Sequence, residues 1–159
     1  MSSCSYNGGG ACPEPAWENS TAGLCVYHAP ENNSVDGIRA EVWKAARTLV
    51  NAGKTDFTGW HFPDSSEEVL AGMTFQTPAI FANTVFCGNA MFLNAVFNAH
   101  ANFSHAIFRH EVRFGHVTFG NECDFSCAIF NHGALFGGTH FKKRASFRKA
   151  GFRDCGAFG

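Results

Sequence analysis

From Phe75 onward a single apolar residue type marks time along the chain. Phenylalanine stands at 75, 81, 86, 92, 97 and so on to 158, and the gaps alternate 6, 5, 6, 5 through all fifteen intervals. One repeat therefore runs from Phe75 to Phe86, the next from Phe86 to Phe97, and each eleven-position unit holds two Phe. Two residues before each Phe the side chain is small or β-branched, as at Ala79, Thr84, Ala90, Ala95, Val112 and Ala128, and only Met73 breaks the rule. Residues i and i−2 of a strand share a face. Each Phe thus ends a very short strand that points one large and one small side chain inward. The two or three residues after each Phe are rich in Gly, Asn, Ser and His, the composition of turns. A helical bundle does not fit this pattern, because helices follow a 3.6-residue period and disfavour so many Gly and β-branched residues.

The unit small–variable–Phe–corner–corner, seen in Ala106-Ile107-Phe108-Arg109-His110, resembles the pentapeptide-repeat family. The resemblance covers residues 73–158 and implies a right-handed quadrilateral β-helix. This chain departs from the family unit by one extra residue at every second corner. Four faces then take twenty-two positions rather than twenty, so that one coil leads from Phe75 to Phe97. The repeat as a whole makes about four coils, with bulges at two opposite corners. A flat, two-sided solenoid, in which one coil leads only from Phe75 to Phe86, fits the same repeat. In the four-sided register Phe97, Phe119 and Phe141 stack in one column at about the 4.8 Å strand spacing. A lone repeat buries nothing, so stability comes from stacking neighbours, with roughly 1.5–3 kcal/mol from each fully buried Phe.

Ahead of the repeat the period changes. Val35, Ile38, Val42, Trp43, Ala46, Leu49 and Val50 follow helical spacing over 34–52, with Asn33 or Ser34 to cap the start and Gly53 to close the end. The stretch Asp56 to Pro63 reads as a first, imperfect pair of repeat strands, and 64–69 as a loop or a single helical turn. Leu70 stands one full coil ahead of Phe92 and suits the Phe92 column. Residues 33–72 are thus expected to cap the solenoid formed by 73–159, since a solenoid needs a cover for its open apolar end. A DNA-recognition helix is the sharper reading of 34–52, but its Arg39, Lys44 and Arg47 are offset by Asp36 and Glu41.

Residues 1–32 carry different chemistry. Cys4, Cys12, Cys25 and His28 are metal-ligand types gathered in one short segment, and Cys25-Val26-Tyr27-His28 has the two-residue gap of a knuckle. Gly8, Gly9, Gly10 and Gly23 precede the second and third ligands, where the chain must turn. Too few apolar residues lie here for unaided folding, so a metal would supply the missing stability. The pattern resembles small Cys/Cys/Cys/His zinc-binding modules. Four protein donors fill a tetrahedral shell, which points to structural Zn2+ rather than a catalytic ion with an open position.

The remaining composition narrows the compartment and the partners. Seven Cys is an odd number and their spacing is not that of a secreted disulfide scaffold. Three as ligands and four as thiols imply a reducing cytoplasm. Met1-Ser2-Ser3-Cys4 lacks the basic and apolar regions of a leader, and no apolar run is long enough to span a membrane. Net charge is −1, yet residues 1–72 hold 4 Lys/Arg against 9 Asp/Glu and residues 73–159 hold 8 against 4. Such asymmetry bears on partners.

The same coil length also predicts which outward residues form columns. Val85, Ile107 and Ile129 align on the third face, with Met91 and Leu135 on the fourth, as an apolar stripe suited to a partner; the N-terminal helix is the other candidate to cover it. Corner columns of His110, His132 and Asp154, of His105 and Cys127, and of His100, Glu122 and Arg144 follow from the same arithmetic. Lys142, Lys143, Arg144, Arg148, Lys149 and Arg153 crowd the last coil, which ends at Phe158-Gly159 without a cap. An uncapped coil invites association with a second copy or with a protein bearing an acidic surface. The function expected is a non-catalytic interaction module, since no nucleophile–base or paired-carboxylate set is evident. The alternatives are nucleic-acid binding through the basic coil, which would weaken steeply with salt, and topoisomerase modulation by DNA mimicry. Mimicry needs an acidic surface, and this solenoid is net positive.

Overall fold

The computed structural model describes residues 4–6, 12, 14, 18, 24–29, 37–64 and 69–154. The expected turns at Gly8–Gly10 and Gly23, the helix caps Asn33 and Ser34, most of the 64–69 connection and the terminal Phe158-Gly159 fall outside these residues.

Among the described residues, sixteen two-residue strands wind into a four-sided β-solenoid. One face carries β1 (His61–Phe62), β4 (Val85–Phe86), β8 (Ile107–Phe108), β12 (Ile129–Phe130) and β16 (Gly151–Phe152) in that order. The second carries β2 (Thr74–Phe75), β6 (Val96–Phe97), β10 (Thr118–Phe119) and β14 (His140–Phe141). The face beside it carries β3 (Ala79–Ile80), β7 (Ala101–Asn102), β11 (Cys123–Asp124) and β15 (Ala145–Ser146). The fourth carries β5 (Ala90–Met91), β9 (Val112–Arg113) and β13 (Ala134–Leu135). All rungs are parallel, and Phe75 aligns in turn with Phe97, Phe119 and Phe141, the offset expected of four faces. Phe75 and Phe86 lie in different sheets, which rules out the two-sided coil.

Phe rings fill the bore in four columns. Rings one coil apart stack nearly parallel, as for Phe86–Phe108 at 4.9 Å and 2° and Phe103–Phe125 at 4.9 Å and 3°. Rings of opposite faces meet edge to face across the bore, as for Phe81–Phe92 at 5.7 Å and 85°, the pairing an aromatic quadrupole favours. The small residue two before each Phe leaves room for these rings. Where it is Thr, the hydroxyl is satisfied by a backbone carbonyl: Thr84 Oγ1 donates to Phe57 O at 3.0 Å and Thr139 Oγ1 to Phe114 O at 2.7 Å.

The two kinds of corner differ in backbone. Five-residue steps close as tight turns, for example Thr84 N–H to Phe81 O, with positive φ at Asn83 and at its equivalents along the chain. That is the type II pattern. Six-residue steps hold the extra residue in an open bend, at opposite corners of the frame.

The first coil is irregular in one place. His61 aligns with Val85 and Phe62 with Phe86, two positions further apart in sequence than Val85 and its own partner Ile107. Gly72 N–H bonds Leu93 O just as Asn94 N–H bonds Gly115 O, so Leu70 occupies the Phe92 column as expected. The two extra residues therefore lie between Phe62 and Leu70. Phe57 stacks on Phe81 and Phe62 on Phe86, both at 5.0 Å, so the Phe columns begin ahead of Phe75.

One helix, α1 (Ile38–Asn51), covers this coil. Its described start is Ile38 after Gly37 at φ 87°, with no side-chain cap, a correction to the start expected near Ser34. Its end follows expectation: Gly53, at φ 70°, donates to Val50 O and Lys54 N–H to Leu49 O, the Schellman arrangement. Val42, Trp43, Ala46 and Val50 are buried. Trp43 packs on Phe62 at 4.7 Å, and its Nε1–H donates to Pro63 O at 3.0 Å.

Candidate metal centre and exposed surfaces

The segment 25–29 turns tightly, with His28 and Ala29 N–H both donating to Cys25 O. This turn brings Cys25 Sγ to 3.1 Å from His28 Nδ1. Cys4 arrives from the other side, its sulfur accepting the Cys25 N–H at 3.1 Å and lying 3.7 Å from His28 Nδ1. Cys12 completes the set, 3.8 Å sulfur to sulfur from Cys25. All four donor atoms lie within 4.8 Å of one another. A tetrahedral thiolate site with bonds of about 2.3 Å has edges of about 3.8 Å, so the four donors expected from the sequence are gathered at a separation that could hold a metal ion.

The surroundings suit that use. His28 Nε2–H donates to Thr58 O at 3.1 Å, which fixes the tautomer that leaves Nδ1 free; ligating histidines are usually oriented this way. Tyr6 stacks on the His28 ring at 4.0 Å. Burial holds the His28 imidazole below its ordinary pKa against the opposing pull of Thr58 O, which keeps it neutral, as a ligand must be. Burial also raises the Cys12 thiol and pushes Cys25 up to about 12. At Cys4 burial acts in the same direction but is outweighed by the N–H groups of Tyr6 and Cys25, so that thiol is net lowered. A bound cation would supply the charge that burial otherwise denies these thiolates.

Sequence reasoning missed how this cluster is joined to the solenoid. His61 N–H donates to Tyr27 O at 2.7 Å, so the knuckle backbone pairs with the edge of β1. Tyr27 stacks on Trp60 at 4.2 Å. The knuckle is therefore part of the cap, alongside α1. Only the proximity of two aromatics to the ligands hinted at it; a backbone bond leaves no sequence signal. A cavity of about 730 Å³ opens between the cluster, α1 and the first coil, lined by Cys12, His28, Ile38, Leu49 and Trp60 among others.

The outward columns fall where the coil length puts them. Val85, Ile107 and Ile129 are in register; Val85 is buried, while Ile107 and Ile129 are half-buried. Helix α1 packs against β1 at the end of the solenoid. On the fourth face Met91 and Leu135 are half-buried, but Arg113 stands between them in register and pairs with Glu111 at 2.6 Å, so the apolar stripe is continuous on one face only. His110 stacks on His132 at 5.6 Å, and His132 Nδ1 lies 3.0 Å from Asp154 Oδ2. Lys142, Lys143, Arg144, Arg148, Lys149 and Arg153 are all exposed, and Arg144 reaches towards Glu122 at 3.9 Å. Phe152 stacks on Phe130 at 4.6 Å yet remains 38% exposed. The C-terminal end, expected from the sequence to lack a cap, lies outside the described residues. No helix among the described residues is long and apolar enough to cross a membrane.

No curated protein and no solved structure matches the chain. The family description "Pentapeptide repeats (9 copies)" matches residues 57–107 and again 103–151. The match begins at Phe57, the residue that opens the first Phe column, and ends at Gly151, the first residue of β16. It spans more than half of the sequence, and this chain belongs to the pentapeptide-repeat family.

Proposed function

We infer that this protein is a non-catalytic interaction scaffold: a rigid pentapeptide-repeat solenoid, its N-terminal end closed by a structural Zn2+ site at Cys4, Cys12, Cys25 and His28, that engages an acidic protein partner through its basic last coil. The observation that carries the reading is the concentration of exposed cations there. The same columns hold neutral or acidic residues one coil earlier, with Gly120 before Lys142, Asn121 before Lys143 and Glu122 before Arg144. Short rungs locked by stacked Phe fix the spacing of these charges, so little ordering entropy is lost on binding. Electrostatic complementarity of this kind sets partner choice and association rate.

The test is co-purification from the native cell of the tagged chain beside a variant with Lys142, Lys143, Arg144 and Arg148 changed to Glu. A stoichiometric protein retained by the wild type and lost by the variant is the expected result. Recovery of salt-sensitive nucleic acid without a stoichiometric protein would instead favour direct nucleic-acid binding.

A further inference from the structure

We propose that Cys12 is an oxidation-sensitive thiol: a hydroperoxide converts it, together with Cys25, into a disulfide that discharges the metal and loosens the cap on the first coil. The proposal rests on the reading of the Cys/His cluster as a loaded metal centre. The four donors differ in access. Cys4, Cys25 and His28 are 8%, 1% and 6% exposed. Each is also held by backbone or ring contacts: Cys25 N–H on Cys4 sulfur, the turn bonds to Cys25 O, and Thr58 O and Tyr6 on His28. Cys12 is only half-buried and lines the cavity of about 730 Å³. A small oxidant can reach the centre through that opening, and the first sulfur it meets is Cys12.

The chemistry balances in two steps. The Cys12 thiolate attacks one peroxide oxygen; the S–O bond forms, the O–O bond breaks, and the leaving oxygen takes up a proton to depart as water or an alcohol. Sulfur is oxidised and peroxide reduced. The Cys25 thiolate, 3.8 Å away, then attacks the Cys12 sulfur; the S–S bond forms and the S–O bond breaks, with hydroxide leaving as water after protonation. Two of four ligands are lost and the metal departs. A dithiol reverses the bond by thiol–disulfide exchange. The consequence reaches the solenoid because the same turn carries Tyr27, whose carbonyl covers the β1 edge at His61 N–H.

The experiment uses the full chain loaded with Zn2+, with Cys127→Ser and Cys155→Ser introduced so that the thiols left outside the cluster are Cys87 and Cys123, both buried. Hydrogen peroxide is added, released metal is read with a chromogenic chelator, and thiols are mapped by differential alkylation and mass spectrometry. One Zn2+ should leave per Cys12–Cys25 disulfide formed, with Cys87 and Cys123 still reduced. The His61 amide should lose hydrogen-exchange protection while Thr118 and Ile129 keep theirs, and a dithiol with added Zn2+ should restore it. Modification of Cys4 or Cys25 before Cys12, or metal retained after Cys12 is oxidised, overturns the proposal and leaves the metal centre standing. A chain that takes up no Zn2+ in a direct titration overturns the metal reading itself.

Discussion

At the scale of single residues, the corners show how the fold constrains identity. Two residues after each Phe, or Leu70, that opens a five-residue step, φ lies between 56° and 70°, through Gly59, Gly72, Asn83, Asn94, His105, His116, Cys127, Gly138 and Lys149. Left-handed backbone is natural for Gly and tolerable for Asn, and strained for other side chains. Gly138 has a second reason to be glycine: a Cβ there would lie 2.6 Å from His116 Nδ1. Gly138→Ala should cost about 1–2 kcal/mol in denaturant unfolding. Adding His116→Ala should recover the steric part and leave the backbone part. An unchanged midpoint for the single variant would contradict the corner geometry. The turn-forming composition of these corners was legible in the sequence; the positive φ of His105, His116, Cys127 and Lys149 was not, because tertiary pairing of the flanking rungs imposes it against local preference.

At the scale of elements, the rung and the column matter more than the strand. A two-residue strand has no independent stability, and each here persists because its backbone pairs with neighbouring coils. Phe119 sits between Phe97 at 5.0 Å and Phe141 at 5.3 Å and is fully buried. Phe119→Ala should therefore cost about 3–5 kcal/mol. Phe152 stacks on Phe130 and is 38% exposed, so Phe152→Ala should cost markedly less, about 1 kcal/mol. Equal losses in parallel urea titrations would mean that the columns are not the unit of stability. The helix was read correctly in type, buried face and C-terminal glycine, all of which are written in side chains. Its described start, at Gly37 with no side-chain cap, carries no such mark.

At the scale of the whole molecule, the solenoid solves its edge problem at the N-terminal end with two devices, an amphipathic helix over the Phe bore and a Cys/His knuckle paired to β1. If the knuckle is held by metal, chelation should release it without melting the coils. Exchange protection should fall at Ala29 and His61, whose amides bond within or to the knuckle. It should persist at Thr118, Ile129 and Lys142, whose amides bond the preceding coil, and the β signal in circular dichroism should remain. Loss of protection throughout would show that the knuckle nucleates the whole stack. No change at His61 would show that Tyr27 stays in place without metal. The uneven charge follows the chain: the acidic excess lies in residues 1–72, and six of the eight Lys/Arg of residues 73–159 lie in the last coil.

The sequence by itself determined the repeat, the aromatic residues that build the columns and the identity of the four candidate metal donors. Each of these is a statement about which side chains recur at which spacing. It did not determine the number of sides, since the spacing of Phe75, Phe86 and Phe97 suits two faces as well as four. Nor did it determine the two-residue excess in the first coil, the interruption of the apolar stripe by Arg113, or the docking of the knuckle on β1. Those were decided in three dimensions, by backbone hydrogen bonds such as His61 N–H to Tyr27 O and by the packing of coil upon coil. Nearly every residue carries the same backbone donor and acceptor, so the choice of partner leaves no trace in the order of side chains.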